Sequence, residues 1–548
     1  MLYKSGGAAF LVPYFIALFF VAVPMYLVET AYGQLLDMKL HHRYGAIHPG
    51  WWTVIPLQVS VNFFTSTYYI TLMAWSISFF FESFKYDLPW LVDGSENAVI
   101  AQNIWNREYF YKEVLHDSGS IAKPGALVGW LVLCMFISYL LTYFSSWKGL
   151  KSIGRVVWVT CLLPYVILTI FLVKGFTLEG CGKGLSFLFV PDWSQLADVN
   201  VWKSAATQIL FSSSVSYGPL MYYGSGRGRK EKIVPPSYIV PLINSATSIY
   251  AALSIFSFLG HVSTVQNIPI RMLSKSGPDL LFVAFPAFLG LIPGTKFFSI
   301  VFFAMCVCLG IDSTFGFLDF AMKYFEDAFP WVLKFFRRRE IYRAVFMFLN
   351  FLLSLVFCIE GGVYVFGLFD GYSGSIQLLL CFLMELTLLP WVFGMGRINT
   401  LMELRTGEKV GTFVTVMIKF FIPAFIFAIF IISWVTEFQY SASKEADGWT
   451  TGITWAGRMI MFIPMLIVPI GYFFRIECPN IDDIIAEQYG IKCNRDGSFD
   501  KLDNYNNGEP MGDQDTGNAE DAKDQKAKED DVTELAVQEP AAKEETVN

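Results

Sequence analysis

The stretch Ala206-Thr-Gln-Ile-Leu-Phe-Ser-Ser-Ser-Val-Ser-Tyr-Gly-Pro-Leu220 lies inside a hydrophobic segment running from about Val201 to Tyr223, yet it cannot form an ordinary membrane helix. Ser212, Ser213, Ser214 and Ser216 compete for backbone hydrogen bonds, Gly218 loosens the backbone, and Pro219 removes a donor and clashes with the turn before it. These residues predict a broken helix. In hydrocarbon, freed backbone groups are tolerated only where protein or a polar cavity satisfies them, so a break near the bilayer midplane predicts a small-ligand or ion site.

The rest of the chain supports a membrane setting. With 54% hydrophobic and 16% charged residues among 548, it is too apolar for a soluble enzyme of this length and reads as an all-α polytopic membrane protein. The net charge of −7 hides two different materials. Residues 495 to 548 hold 16 Asp/Glu and 6 Lys/Arg, a net −10, so the remainder of the chain sums to +3.

Runs long enough to cross about 30 Å of hydrocarbon begin near Ala8, Val54, Gly125, Val156, Val201, Ile239, Phe297, Arg343, Ser375, Gly411 and Ile453, which predicts eleven spans. The first run, with Pro13, Pro24 and Glu29, is too long for a signal-peptide core and lacks a small-residue cleavage site, so it is expected to be retained. Basic residues fall in alternate connections: Lys148, Lys151 and Arg155; Arg227, Arg229, Lys230 and Lys232; Lys334, Arg337, Arg338 and Arg339. Those loops are expected in the cytoplasm, with the C-terminus inside and Met1 outside. The expected layout is a transmembrane domain at 1–475 with a large outer loop at about 85–124 and an outer cap at about 264–292. A short cytoplasmic segment at 476–494 follows, then an acidic tail at 495–548 whose composition predicts disorder and argues against anionic lipid.

Several residues carry candidate chemistry. Leu309-Gly-Ile-Asp-Ser-Thr314 places a carboxylate inside the seventh span, which costs at least ~2.5 kcal/mol unless it is paired or liganded. Ser313 and Thr314 add oxygens, a set that suits a hard monovalent cation; the alternative is a polar helix contact satisfied by neighbours. Tyr68 and Tyr69 either pack between helices or turn a phenol toward the site. Asp370 and Glu385 flank the ninth span, next to a short outer turn at Glu360 to Asp370, and read either as a solvated rim or as a gate. His41, His42, Arg43 and His48 lack a neighbouring Cys or carboxylate cluster and read as a solvated basic loop rather than a metal site. Gly277 to Pro286 is too short to span and is expected to dip in as a cap. Of nine cysteines only Cys181 falls in an outer loop, so no external disulfide pair is expected, and no glycosylation sequon occurs.

Taken in order, Tyr3-Lys-Ser-Gly-Gly-Ala-Ala-Phe-Leu-Val-Pro-Tyr14, Glu29 to Gln34, Leu88-Pro-Trp90, Trp147 to Gly154, Pro191-Asp-Trp193, Leu309 to Ser313 and Gly361 to Asp370 resemble the neurotransmitter:sodium symporter family over roughly residues 3 to 475. The resemblance implies an inverted-repeat symporter fold. It implies one sodium site at Leu309, Asp312 and Ser313 and another at Ser212 and Asn244. A chloride site would use Tyr14, Gln208, Ser212 and Ser248. Substrate contacts would come from Tyr69, Phe211, Ser212, Ser214, Tyr217 and Thr314, with Asp370 as the outer-gate acid and Asp327 as the inner-gate acid. It also implies one further helix ahead of Tyr3, so the expectation is eleven of the usual twelve. Two departures touch the loops: Pro235-Pro236 replaces an Arg-Asp pair before the sixth span, and the loop after Trp90 lacks the cysteine pair usual in animal members.

The function these features imply is sodium-coupled symport, with chloride, of a small amino acid or related amine across the plasma membrane by alternating access. The partners are that small substrate and the lipid bilayer; no catalytic role and no nucleic-acid partner is expected, and the acidic tail names no cytoplasmic partner. The competing readings are a symporter-like protein that no longer moves substrate and serves as a binding or signalling scaffold, and a shortened isoform of a full symporter.

Overall fold

The computed structural model describes residues 5–91, 107–270, 277–446 and 450–501. Its principal helices are α1 (Gly7–Leu35), α2 (Val54–Glu82), α3 (Gly129–Ser146), α4 (Leu150–Thr177), α5 (Val199–Ser213) and α6 (Pro219–Ser225). They continue with α7 (Val234–Gln266), α8 (Thr295–Ala328), α9 (Arg339–Ser354), α10 (Gly362–Tyr372), α11 (Ser375–Thr387) and α12 (Met395–Thr406). Last come α13 (Thr412–Tyr440), α14 (Thr451–Gly471) and α15 (Ile481–Tyr489). Shorter pieces are named by their residues.

Among the described residues nine helices are long and apolar enough to cross a membrane, counting α10 to α12 as one stretch. The difference from the expected eleven has a physical reason. α2 is 29 residues long but carries Gln58, Asn62 and a run of Ser and Thr that lower its hydropathy, while α5 and α6 are each too short alone. Length and composition therefore do not fix the number eleven.

α2 is the central mast. It packs against α3, α8, α9, α10, α11 and α14, and most of its side chains are buried. Several of its hydroxyls survive in an apolar setting by bonding their own helix: Thr67 donates to the Phe63 carbonyl and Ser76 to Leu72, both one turn back. In α1 the turn before Pro24 widens to a π turn over Leu18–Ala22, as a missing donor requires. Beyond it every residue of Val23–Leu35 except Tyr26 is buried, so this half of α1 faces protein rather than lipid. α6 lies against it closely enough that a Cβ on Gly33 would sit 2.2 Å from the Met221 carbonyl oxygen.

Several loops differ from expectation. In the basic loop after α1 the three histidines are partly exposed but Arg43 is not solvated: it is 2% exposed, and its guanidinium donates to the Tyr32, Gly33 and Met38 carbonyls, two of them at the end of α1. Among the described residues no cluster of His, Cys, Asp and Glu could hold a metal ion. Of the expected turn from Glu360 to Asp370, Gly362 onward is helix and makes up most of α10. Leu280–Gly290 is an apolar helix too short to cross a membrane. The expected outer loop is described only in part, since residues 92–106 lie outside the described set, as do 271–276 of the cap region.

The expected start of disorder at 495 is corrected as well. Phe499–Lys501 pairs antiparallel with Ile491–Cys493, and this hairpin with α15 docks on α12. Arg397 meets Asp482 at 2.8 Å, Thr400 donates to the Gly497 carbonyl, and the Tyr489 hydroxyl donates to the Leu35 carbonyl at the end of α1. Backbone pairing and these ties outweigh the polar composition there. Residues 502–548 of the acidic tail lie outside the described residues.

Candidate ion and substrate site

The helix breaks where its sequence says it must. α5 ends at Ser213, Ser214 and Ser216 take φ of 56° and 63°, and α6 begins at Pro219, whose missing donor costs nothing in a first turn. Gly218 is held by geometry: its φ is 96°, and a Cβ there would lie 2.3 Å from the Phe320 ring.

Side chains from α1 and α2 take up the freed backbone. The Ser216 amide donates to Glu29 Oε1 at 2.7 Å, the Ser216 carbonyl accepts from Gln58 at 3.0 Å, and the Tyr217 carbonyl accepts from Asn62 at 2.7 Å. Glu385 closes the cradle, accepting from the Ser216 hydroxyl at 2.6 Å, from Gln58 at 2.6 Å and from the Tyr44 hydroxyl. Glu29, Gln58, Asn62 and Glu385 are each at most 1% exposed. A rim reading of Glu385 is therefore wrong; it sits in the protein interior because Ser216, Gln58 and Tyr44 supply donors there. Sequence reasoning missed this cradle. Its one legible signal was a carboxylate inside each of two apolar spans, at Glu29 and Glu385.

The residues expected to bind ions and substrate come together in part. Asn244 of α7 donates to the Ser212 hydroxyl at 2.6 Å and to its carbonyl at 3.1 Å, so the expected second sodium pair is in contact. Tyr14 contacts both Ser245, at 3.1 Å, and Ser248, and Ser248 is bonded to the Asn244 carbonyl. Gln208 lies one turn before Ser212 on α5, on the same face. Ser245 is a further residue of this group that the sequence reading did not name.

For substrate, Phe211 meets Tyr217 edge-on at 5.8 Å, Tyr217 meets Phe317 at 5.9 Å and Tyr69 meets Phe317 at 6.2 Å, an aromatic line that adds Phe317 to the expected set. Ser214 forms the left-handed turn at the break. Thr314 is fully buried and donates to the Gly310 carbonyl at 2.7 Å, so the structure does not bring its proton to the others.

Of the first expected sodium set, the Ser313 hydroxyl lies 3.2 Å from the Leu309 carbonyl and also contacts the Tyr69 phenol. Asp312 accepts from Thr160 at 2.5 Å and from the Cys161 thiol at 3.5 Å, both on α4. Asn244, Ser248, Leu309 and Asp312 all line one groove of 630 Å³ between α4, α7 and α8. Tyr68 contacts Asp370 near the end of α10 and Tyr69 contacts Ser313, and both rings also pack against phenylalanines of other helices, Phe366 and Phe317. Asp327 accepts from the Leu40 amide at 2.9 Å and pairs with Lys323 at 2.9 Å, tying the end of α8 to the loop after α1. Outside the spans, His41 of that loop has a pKa lowered to about 4, first by burial and then by the charge of His42.

A broken helix cradled by neighbours, with oxygen-rich clusters beside the break, defines a polytopic membrane transport protein of the inverted-repeat kind. The profile of the sodium:neurotransmitter symporter family matches residues 1–477, and the chain belongs to that family; it is a transporter and not an enzyme. Among curated relatives, the sodium- and chloride-dependent GABA transporter 2 of Mus musculus is 32% identical over 505 residues, covering 87% of this chain and 82% of the relative. The sodium- and chloride-dependent taurine transporter of Rattus norvegicus is 32% identical, covering 85% and 79%, and the sodium-dependent serotonin transporter of Drosophila melanogaster is 32% identical, covering 85% and 77%.

Proposed function

We propose that this protein couples sodium entry, assisted by chloride, to uptake of a small amino acid or related amine at the plasma membrane, by alternating access about the broken helix, with its C-terminus in the cytoplasm. The observation that carries the reading is the contact of Asn244 with Ser212 at the break, on the same groove as Leu309 and Asp312. Two clusters of neutral and single-charge oxygens beside a helix interruption suit monovalent cations, which share their charge with carbonyls and hydroxyls rather than with several carboxylates. Tyr14, Gln208, Ser212, Ser245 and Ser248 offer hydroxyl and amide donors that hold an anion by dipoles alone. The aromatic line from Phe211 to Tyr69 gives a small amine or amino acid a face to pack on. The relatives' names give the substrate panel: GABA, taurine and serotonin.

The test is uptake of that panel into vesicles carrying the full-length transporter, with sodium replaced by choline and chloride by gluconate. Accumulation of at least one amine that needs sodium is expected; binding without sodium-driven accumulation across the panel and the common amino acids would overturn the transport reading in favour of a binding scaffold.

A further inference from the structure

α4 is a lightly buried neighbour for an ion site. Its spanning window is 28% buried, the same share as that of α7, and its outward residues Trp158, Val159, Leu162 and Val166 are apolar and exposed. One stripe is different. Thr160, Cys161, Tyr165 and Thr169 recur at helical spacing, and each reaches across to a neighbouring helix. Thr160 and Cys161 hold the two oxygens of Asp312 on α8. The Tyr165 hydroxyl contacts Thr247 of α7 at 2.5 Å, and Thr169 accepts from Tyr250 of α7 at 2.8 Å. Thr247 and Tyr250 lie on the same helix as Asn244 and Ser248, so this stripe joins the helix bearing Asp312 to the helix bearing those two expected ion residues.

We propose that Thr160 and Cys161 are positioning residues for the Asp312 carboxylate and so set the affinity of the cation site, an inference that rests on Asp312 being a sodium ligand. The Thr160 hydroxyl has two acceptors within reach, Asp312 Oδ1 at 2.5 Å and the Val156 carbonyl at 3.2 Å. Donated to the carboxylate, the shorter of the two contacts, this proton holds Asp312 toward the groove at the depth of Leu309 and Ser313; turned to the Val156 carbonyl, it leaves Asp312 with the Cys161 thiol alone. Partners that orient a ligand commonly change ion affinity when removed, without touching the ion. Because those partners sit on α4, the position of α4 is coupled to cation occupancy.

Thr160→Val keeps the side-chain volume and deletes the donor. It is expected to raise the half-saturating sodium concentration on the order of tenfold while leaving the substrate KM at saturating sodium and the surface expression near wild type. Thr160→Ser restores the hydroxyl and should restore sodium affinity, which a packing role for the threonine methyl would not do. A second readout needs no transport: alkylation of Cys161 by a small maleimide in membranes, with Cys161→Ala as the background, should be slowed by sodium and not by potassium or choline. In Asp312→Asn that protection should vanish.

An unchanged or lowered half-saturating sodium in Thr160→Val, or Cys161 labelling indifferent to sodium in the wild type, overturns the inference. The two layers separate cleanly. If Asp312→Asn keeps wild-type sodium dependence, the cation site itself is misplaced; if Asp312→Asn loses it while Thr160→Val does not change it, only the role of α4 fails.

Discussion

The break in the α5–α6 segment is surrounded by two regions of opposite character. On one side Glu29, Gln58, Asn62 and Glu385 are sealed from solvent and bond the backbone of Ser216 and Tyr217, the Ser216 hydroxyl and one another, while Glu29 Oε2, Gln58 Oε1 and Asn62 Oδ1 stay without a partner among the described residues. On the other, Phe211 is 38% exposed and Leu309 45%, and Asp312 is held by two side chains from the lightly buried α4. The cradle fixes a backbone shape that the bilayer would otherwise forbid. The groove leaves its oxygens accessible to something that comes and goes. One region should therefore answer to mutation through stability and the other through ion dependence.

The sharpest way to break that division is at Glu385. Glu385→Ala strips the acceptor from Gln58, Ser216 and Tyr44 at once, and each buried donor left unmatched costs about 1–3 kcal/mol. The expected result is a large loss of folded protein at the cell surface and an unfolding temperature lower by several degrees in detergent, measured by fluorescence-detected size exclusion after heating. Glu385→Gln, which keeps one acceptor oxygen, should lose less. Asp312→Ala should do the reverse. Its surroundings are half open, so the unfolding temperature should stay close to wild type while sodium-dependent uptake falls to background. Uptake with wild-type sodium dependence would remove Asp312 from the groove's chemistry.

What the sequence made legible follows the same line. The break could be read at Ser212 to Pro219 because its cause is local: hydroxyls, a glycine and a proline within eight residues act on their own backbone. Asp312 could be read because a lone carboxylate in an apolar span has few bland explanations. The partners could not. Ser216 and Glu29 are 187 positions apart, and Thr160 and Asp312 are 152. A threonine in an apolar helix reads first as bonding its own carbonyl, which Thr160 also does, so nothing in its neighbourhood announces Asp312. Arg43 was misread for a similar reason, since its partners are the carbonyls at the end of α1 and no side-chain pattern marks them.

A smaller effect is expected at the anion cluster, where the comparison is sharpened rather than broken. Ser248 lines the groove beside Asn244 and close to Tyr14, so a carboxylate at that position would supply in fixed form the negative charge that an anion supplies reversibly. Ser248→Glu is expected to keep uptake in chloride-free medium at roughly the rate the wild type shows with chloride, with the sodium requirement intact. A chloride requirement unchanged from wild type would place the anion elsewhere.

The smallest expected effect lies outside both regions, in the loop that ties α1 to α8, and it separates pH sensitivity of the scaffold from that of the groove. His41 is half-buried against His42, near Asp327 and Lys39, and its pKa is lowered to about 4 by burial first and the charge of His42 second, with Asp327 opposing. The folded state therefore binds this proton less readily than the unfolded chain, where an imidazole titrates near 6.5. Above that value neither state carries the proton and the site contributes no pH dependence. As pH falls from about 6.5 toward 4 the unfolded state alone takes up the proton and stability declines; below about 4 both are protonated and the decline stops. The ring is partly exposed, so solvent screening keeps the slope shallow. The measurement is the unfolding temperature of the purified protein from pH 7.5 to 4.5, in wild type and in His41→Gln, which carries no titrating proton. The wild type should lose stability more steeply than the variant over that window. Parallel curves would show that burial of the neutral His41 ring adds no pH dependence to the scaffold, and would leave the Leu40 amide and Lys323, which contact Asp327 at any pH in that window, as the ties between the loop and α8.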